Sequence, residues 1–408
     1  MASTIISPYI PSVMIYGPVK SGKSSELINT YNSLIGSGIN KEYVKVFKNK
    51  KDDIESGKYI SNGKNNLESI LVSSSDEIAN NIDEKTKYVF ISGVNFFEDS
   101  IDILVENLLR KNRKVIMSGI NQDYELNPYN KMPELMALSR SLVQKYGVCY
   151  KCSDKKVNRS LKVNNHFESS CFEHHDYNYN GYLGHMNKSD SFLKMFLGPM
   201  FSSKTESLLE VIAQLDEVNK IRGKYNKEEY SLFKWSKDKR YSEDTDVISH
   251  NQNKCNAYEV NDAKEIIDYI DSNPNKKHIL IDEGQFMDNL EPVVKKLYDK
   301  GHFIYVSGLP RDFRGEPFGK DIPRLMTIAD EIDMRVAYCD YKSLDSRCIT
   351  PATESQRIIR RNGKDFSASY DDPIVLVGEK DLYIPRCFNH HEVLNKPKLK
   401  FNIPNLNN

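Results

Sequence analysis

Residues 14–24 read MIYGPVKSGKS. An apolar run is followed by a loop that has a glycine at each end, Gly17 and Gly22, and then by Lys23 and Ser24. The loop satisfies the pattern G-x4-GK[ST], in which glycines let backbone N–H groups converge on phosphate oxygens. The lysine neutralises phosphate charge, and the serine hydroxyl can ligate Mg²⁺. Because a strand-like run precedes the loop and a helical pattern follows it, a phosphate site is favoured over a chance turn. Its candidate residues are Gly17, Gly22, Lys23 and Ser24.

The same order of motifs occurs a second time. Residues 195–205 read MFLGPMFSSKT, and SGINQDY at 118–124 has its counterpart in SGLPRDF at 307–313. The two motifs recur after 181 and 189 residues, a drift that a few inserted loop residues explain. We therefore interpret the chain as a doubled domain and not as a solenoid. The predicted parts are a first domain at 1–174 with an appendage at about 147–174, a linker at 175–191, and a second domain at 192–408 with an appendage at about 337–392.

Short apolar runs alternate with helical spacing in both copies. Strand-like runs lie at 13–16, 88–91 and 115–118, and again at 194–197, 278–281 and 303–307. Alternation of this kind indicates a mostly parallel sheet with helices on both faces. The predicted fold class is α/β, with two tandem P-loop (RecA-like) domains that each carry a small cysteine-containing appendage.

Composition excludes several classes of protein. The 408 residues contain 57 Lys+Arg and 57 Asp+Glu, so no net charge draws the chain toward nucleic acid or an anionic membrane. No apolar run approaches the ~20 residues of a membrane span. The first residues, MASTIISPYIPS, lack a basic region ahead of an apolar stretch, so we expect no signal peptide and a cytoplasmic protein.

The second copy departs from the phosphate-loop pattern and adds two acids. Ser203 stands where the last glycine belongs, and its Cβ can disfavour the backbone angle that the loop needs. Asp282 and Glu283 follow a buried strand, where an Asp organises Mg²⁺ and a neighbouring Glu accepts a proton. The first copy has Ser92 and Gly93 there. The alternative for the pair is a solvated loop, which the nearby phosphate loop makes less favourable.

A basic run, KWSKDKRY at 234–241, belongs to the second copy. Arg240 could stabilise a transferring phosphoryl group, although an exposed charged loop is the simpler alternative. The first copy has KNKKDD at 48–53 and no arginine.

Cysteines and histidines group at metal-ligand spacing in both copies. The first copy offers Cys149, Cys152, Cys171 and His174, a set suited to a closed tetrahedral zinc site; the alternative is buried free thiols. The second copy retains Cys339, Cys387 and His390, with Lys342 in place of one cysteine. Cys348 could supply a fourth ligand from a loop, but Lys342 favours a damaged, degenerate or absent site. A three-ligand catalytic zinc is less favoured.

These motifs, in this order, resemble the type II thymidine kinases over nearly the whole chain, and the second copy is the closer match. The pieces that carry the resemblance there are GPMFSSKT, KDKRYS, DEGQF, SGLPRDFRGEPFG, ATESQR and DDPIVLVGEKDLYIPRCFNHH. The resemblance implies transfer of the γ-phosphate of ATP to the 5′-hydroxyl of thymidine or deoxyuridine, with Mg²⁺. It departs from the family at Ser203, at Pro310 and at Lys342.

The resemblance also implies roles for residues of the second copy. Glu283 would be the general base, Asp282 and Thr205 would hold Mg²⁺, and Arg240 would act on the phosphoryl group. The implied ATP contacts are Gly198, Pro199, Met200, Phe201, Ser202, Ser203, Lys204, Thr205 and Asp238. The implied nucleoside contacts are Met200, Phe286, Leu309, Phe313, Phe318, Ser355, Arg357, Ile374, Leu376 and Tyr383, of which the aromatic residues also have a simpler interpretation as core.

The favoured hypothesis is a thymidine kinase whose second copy is catalytic and whose first copy is a pseudokinase. Its expected ligands are ATP, Mg²⁺ and Zn²⁺, its partner is the nucleoside substrate, and neither nucleic acid nor membrane is expected. Family members form symmetric oligomers, so a dimer of tandem chains that resembles a tetramer is expected. Two alternatives stay open: an inactive nucleotide-binding scaffold, and a composite site that uses the loop of Lys23 with the acids of the second copy.

Overall fold

The computed structural model describes residues 10–52, 56–153, 157–163, 166–171, 191–221, 229–236, 246–248, 254–342, 347–376 and 382–407. The chain divides into two compact units. The first unit contains residues 1–180 together with 398–408, and the second unit contains residues 181–397. The sequence predicted that the second domain ends at residue 408, whereas the last residues group with the first unit.

The first unit alternates strands and helices, as its hydrophobic pattern predicts. Its strands and helices, in chain order, are β1 (Ser12–Tyr16), α1 (Lys23–Gly36), β2 (Val44–Asn49), β3 (Tyr59–Ser61), β4 (Asn66–Glu68), β5 (Ile70–Val72), α2 (Ser75–Asn80), β6 (Tyr88–Ser92), α3 (Ile101–Arg110), β7 (Lys114–Gly119), α4 (Met132–Leu138), β8 (Ser141–Gln144), β9 (Arg159–Val163) and β10 (His166–Ser170).

Six of these strands form one parallel sheet in the order β5-β2-β6-β7-β1-β8. Its central strands are apolar on both faces because helices cover both sides, which explains their continuous rather than alternating hydrophobic runs. Helix α1 buries Leu27 and Ile28 against strand residues that include Val13, Ile15 and Phe90. Strands β9 and β10 form an antiparallel hairpin outside the sheet.

The second unit repeats this sequence of elements. They are β11 (Phe192–Leu197), α5 (Lys204–Ile221), β12 (Tyr230–Trp235), β13 (Asp246–Ile248), β14 (Lys254–Asn256), β15 (Tyr258–Val260), α6 (Lys264–Ser272), β16 (His278–Ile281), α7 (Leu290–Asp299), β17 (Phe303–Gly308), α8 (Asp321–Ile328), β18 (Glu331–Met334), β19 (Ala337–Tyr338), β20 (Pro351–Ala352), β21 (Glu354–Arg361), β22 (Lys364–Ser367) and β23 (Tyr383–Arg386).

The sheet of the second unit is also parallel and has the order β15-β12-β16-β17-β11-β18, which is the strand order of the first unit element for element. The predicted α/β fold class is therefore confirmed. Strand β21 pairs antiparallel with β22 and β23 outside the sheet. Among the described residues, no helix combines the length and the apolar character that crossing a membrane requires.

Strand order places the chemistry. The phosphate loop follows β11 and the acids follow β16, and β17 lies between these two strands. Because parallel strands end at the same edge of a sheet, both segments meet at the carboxyl edge, where open α/β sheets bind their ligands.

Candidate functional site

The phosphate loop of the second unit keeps the backbone shape of a glycine loop although it has lost a glycine. Phe201 and Ser203 adopt left-handed conformations with φ of 65° and 59°, and the matching residues of the first unit, Lys20 and Gly22, have φ of 55° and 85°. The sequence raised the concern that Ser203 would change the loop. The serine instead accepts the left-handed conformation at an energetic cost.

The first glycine of the loop is required by a close approach of the chain. A Cβ on Gly198 would lie 2.4 Å from the carbonyl oxygen of Arg335 and 2.6 Å from Oγ of Ser202. The amide of Arg335 in turn donates to the carbonyl of Leu197 over 2.6 Å. No side chain fits at position 198, which explains why both copies have glycine there.

The helix that follows the loop presents a lysine and a hydroxyl. Nζ of Lys204 is buried and donates to the carbonyl of Pro199 over 2.8 Å. Oγ1 of Thr205 lies 3.2 Å from Oδ2 and 3.4 Å from Oδ1 of Asp282. A threonine hydroxyl beside a strand-end carboxylate is the donor pair that holds Mg²⁺ in P-loop enzymes, so these residues fit the ion.

Ser307 and Gln285, neither of which was predicted as a site residue, fix the two acids. Oγ of Ser307 donates to Oδ1 of Asp282 and accepts from the amide of Glu283 over 3.3 Å. The amide side chain of Gln285 donates to Glu283, while its Oε1 accepts from the amide of Leu309 over 3.0 Å. Gln285 lies in the motif DEGQF and Ser307 in the motif SGLPRDF. The Ser-Gly pair that recurs at 118 and 307 is the sequence feature that could have identified Ser307.

Glu283 holds a strained backbone conformation. Its φ is 54°, in the left-handed region that glycine favours, and Gly93 occupies the matching place in the first unit with φ of 71°. A non-glycine residue kept in this region costs about 1–2 kcal/mol. Strain of this kind concentrates at functional positions, where the surrounding structure enforces it.

Aromatic side chains form a wall beside the acids. The ring of Phe286 stacks on Trp235 with a centroid distance of 5.0 Å and meets Phe318 edge to face at 5.6 Å. Leu309, Phe313 and Phe318 are all buried. Trp235, the only tryptophan in the chain, joins this wall and was not among the predicted nucleoside contacts.

The strands outside the sheet contact both the loop and the wall. Oγ of Ser355 accepts from the amide of Met200 over 2.9 Å, and the guanidinium of Arg357 lies 5.0 Å from the ring centre of Phe313. Arg357 and Tyr383 are directly paired across β21 and β23. We call Phe313, Ser355, Arg357 and Tyr383, together with β21 and β23, the clamp.

The remaining predicted contacts have different outcomes. Ile374 and Leu376 stand 39% and 40% exposed, and the carbonyl of the preceding Pro373 accepts a hydrogen bond from Arg357. Arg240, Asp238 and His174 lie outside the described residues.

Four metal-binding side chains converge in the second unit. One ligand atom each from Cys339, Cys348, Cys387 and His390 lies within 4.8 Å of the others, and Nδ1 of His390 is 3.3 Å from the sulfur of Cys387. Three thiols and an imidazole at this separation fit a tetrahedral zinc ion. Cys348 takes the place that Lys342 left open, so the interpretation of a damaged three-ligand site gives way to a complete four-donor set.

In the first unit, the sulfurs of Cys149, Cys152 and Cys171 also lie within 4.8 Å of one another. Burial raises the pKa of Cys149, but hydrogen bonds from the backbone of Cys152, Cys171 and Lys151 outweigh it and lower that pKa to about 6. Backbone donors that stabilise a thiolate suit a zinc ligand.

The first unit combines an intact phosphate loop with an altered strand end. Lys23 donates to the carbonyl of Pro18 over 2.5 Å, and burial lowers the pKa of Lys23 to about 8, a shift that the carboxylate of Asp52 opposes. Ser92 replaces the strand-end acid, and its hydroxyl donates to Oδ2 of Asp52 over 2.7 Å. A carboxylate from the loop after β2 thus lies beside the place that Asp282 has in the second unit.

The hairpin of the first unit contacts its phosphate loop. The amide of Val19 donates to Oγ of Ser160 over 3.1 Å, and the carbonyl of Val19 accepts from Ser169. Lys20 forms an ion pair with Glu168 of the same hairpin. The short hairpin therefore covers the loop residue whose counterpart, Met200, meets the clamp in the second unit.

A parallel α/β sheet with a phosphate loop, a strand-end acid and an adjacent hydroxyl defines a P-loop nucleotide-binding protein. A sequence model of the thymidine kinase family matches residues 12–177 and 191–391. The chain therefore belongs to the thymidine kinase family, as the resemblance indicated. Its members are nucleoside kinases, transferases that use ATP and Mg²⁺ and act on thymidine.

Proposed function

We propose that the second unit catalyses transfer of the γ-phosphate of ATP to the 5′-hydroxyl of thymidine or deoxyuridine, and that the first unit is a pseudokinase. The contact of Thr205 with Asp282, which Ser307 joins to the backbone amide of Glu283, carries this proposal. This arrangement supports one cluster in which the Thr205 hydroxyl and the Asp282 carboxylate would hold Mg²⁺ and the Glu283 carboxylate would accept the proton.

The residues of the second unit have separate proposed roles in phosphate transfer. The amides of the loop from Gly198 to Thr205 and the ammonium of Lys204 bind phosphates, and Arg240 and Asp238 are proposed to complete that site. Glu283 accepts the proton of the 5′-hydroxyl as the oxygen attacks phosphorus. Thr205 and Asp282 would hold Mg²⁺, which would supply charge neutralisation at the phosphates.

The nucleoside is proposed to enter between the aromatic wall and the clamp. The wall offers flat apolar surfaces to the base, and Tyr383 and Arg357 lie on the paired strands β23 and β21. Ile374 and Leu376 are proposed to offer backbone groups to the pyrimidine edge. Pro310, the departure from the family in this segment, accepts a backbone hydrogen bond from Phe318 over 3.0 Å.

The first unit is proposed to have lost catalysis because Ser92 and Gly93 stand at the positions of the two acids. Its loop residues, from Gly17 to Ser24, remain a candidate nucleotide site. The scaffold alternative relied mainly on Ser203, and the left-handed conformation of that residue weakens its support. We also propose that two of these tandem chains form a dimer.

The test compares phosphate transfer from labelled ATP to thymidine by the intact chain and three variants. We expect Glu283→Gln to lower turnover by at least about a hundredfold, since general-base catalysis contributes roughly 10²–10⁴. Lys204→Ala is also expected to lower turnover, because it removes the ammonium that binds the phosphates. The matched variant Lys23→Ala is expected to retain turnover. Fluorescence of Trp235 checks that Glu283→Gln still binds thymidine.

Full turnover in Glu283→Gln would refute the assignment of the base. Loss of turnover in Lys23→Ala, with Lys204→Ala active, would instead place catalysis on the loop of the first unit.

A further inference from the structure

The last described residues of the chain, 398–407, group with the first unit and form neither a helix nor a strand. The side chains of Phe401 and Ile403 are buried, with 6% and 2% exposed, while Asn402 between them is exposed. The two apolar side chains therefore fix the segment to the protein, while Asn402 faces solvent. We call residues 398–407 the tail.

Helix α3 carries a polar side chain that receives the tail. Asn107 is 2% exposed, and its Oδ1 accepts a hydrogen bond from the amide of Phe401 over 2.9 Å. A buried amide in a helix requires a partner, and the tail backbone supplies it. The equivalent position of α7 in the second unit, the seventh of ten residues in both helices, is the exposed Lys296. The docking position is therefore a property of the first unit alone.

Polar contacts hold the rim of this docking position. They join Lys400 to Ser100 over 2.5 Å, Lys111 to Asn405 over 2.6 Å, and the amide of Asn407 to the carbonyl of Glu84 over 3.0 Å. These contacts are spread along eight residues of tail, so the whole segment and not one anchor is bound.

The chain immediately before the tail packs on the clamp of the second unit. Nε2 of His391 lies 2.8 Å from the carbonyl oxygen of Phe313, and Nζ of Lys396 donates to the carbonyl of Arg314 over 2.8 Å. The amide of Glu392 donates to Oε1 of Gln356, and Nε2 of Gln356 donates to the carbonyl of Glu392, each over 2.7 Å. Residues 391–397 therefore connect the clamp to the tail through a short covalent path.

We propose that the first unit is a receptor for the chain's own tail and that docking of Phe401 and Ile403 restrains the clamp. Two buried apolar side chains fix the tail at one end, and residues 391–397 are bound to the clamp at the other. Freeing the tail releases one end of this connection, so the clamp opens more often and binds nucleoside less well. The effect on nucleoside binding rests on the proposed function; the docking itself does not.

The test uses the full chain with Phe401→Ala and Ile403→Ala combined, and Asn402→Ala as the matched control. Hydrogen exchange is measured for the tail and for residues 382–397, together with KM and kcat for thymidine. We expect exchange of the tail to become at least about tenfold faster, because truncating two buried side chains removes well over the free energy of a tenfold change. Exchange of 382–397 and KM are expected to rise severalfold with kcat nearly unchanged, and the control is expected to match the unmodified chain.

A second variant, Asn107→Leu, removes the hydrogen-bond acceptor while keeping a side chain of similar size, and it is expected to speed exchange of the tail. The single variant Phe401→Leu keeps an apolar side chain, so its tail is expected to exchange more slowly than that of the double variant. Tail exchange that stays slow in the double variant overturns the docking proposal. Fast tail exchange with unchanged exchange of 382–397 overturns the restraint on the clamp. A chain without thymidine turnover contradicts the proposed function alone, since the exchange of 382–397 still decides this proposal.

Discussion

Ser203→Gly is expected to stabilise the second unit. The left-handed conformation of Ser203, with φ of 59°, costs an L-residue about 1–2 kcal/mol that glycine avoids. Glycine in turn lowers the stability by about 0.5–1 kcal/mol, because it makes the unfolded chain more flexible. At the midpoints of these ranges the net gain is about 0.75 kcal/mol, which corresponds to a rise in Tm of about 2–3 °C for a unit of this size.

The first unit supplies the reciprocal control. A Cβ on Gly22, whose φ is 85°, meets nothing within 4 Å, so Gly22→Ser tests the backbone angle without a steric clash. We expect this variant to lower the stability of the first unit by about the same 0.75 kcal/mol. Calorimetric scans with and without ATP measure the change in Tm of both variants, Ser203→Gly and Gly22→Ser. Since the backbone of the loop stays the same, KM for ATP in Ser203→Gly is expected to change little; a loss of stability in that variant would refute the reasoning.

Two further predictions concern zinc and acid stability. Cys348→Ser is expected to lower bound zinc from two ions per chain to one and to destabilise the second unit, as metal analysis and thermal scans would show; an unchanged zinc content would exclude Cys348 as a ligand. Burial lowers the pKa of His278 below its usual 6.5, with Glu229 opposing the shift, so below pH 6.5 the unfolded chain binds more protons and stability falls. His278→Gln is expected to reduce the loss between pH 7 and pH 5 in urea titrations, and an equal loss in both proteins would contradict this assignment.

The fold followed from the sequence because local signals agreed with the global arrangement. Apolar runs before Gly17 and Gly198 predict buried strands, and the alternation with helical spacing leaves a parallel sheet as the simple solution. The acids at Asp282 and Glu283 were found because strands of a parallel sheet place their ends at one edge. These inferences need only the spacing of residues along the chain.

Other parts of the site depend on contacts between distant residues. Cys348 joins the metal-binding set through a loop whose path has no sequence signature, so its role stayed open beside Lys342. Gln285 and Trp235 act through hydrogen bonds and stacking that only the folded chain brings about. The docking of Phe401 and Ile403 on the first unit was missed because two apolar residues near the end of a chain are too few to establish a periodic pattern.

The first unit cannot regain the acids by simple reversal, because Asp52 has filled their place. A Cβ on Gly93 would lie 2.6 Å from Cβ of Asp52, and Ser92 already donates to that carboxylate. Ser92→Asp with Gly93→Glu would set like charges at hydrogen-bond distance, which is destabilising. In a Lys204→Ala chain we expect this double variant to lower thermal stability without restoring thymidine turnover, and adding Asp52→Ala to recover stability. Turnover from the double variant alone would show that the two missing acids are all that separates the first unit from a kinase.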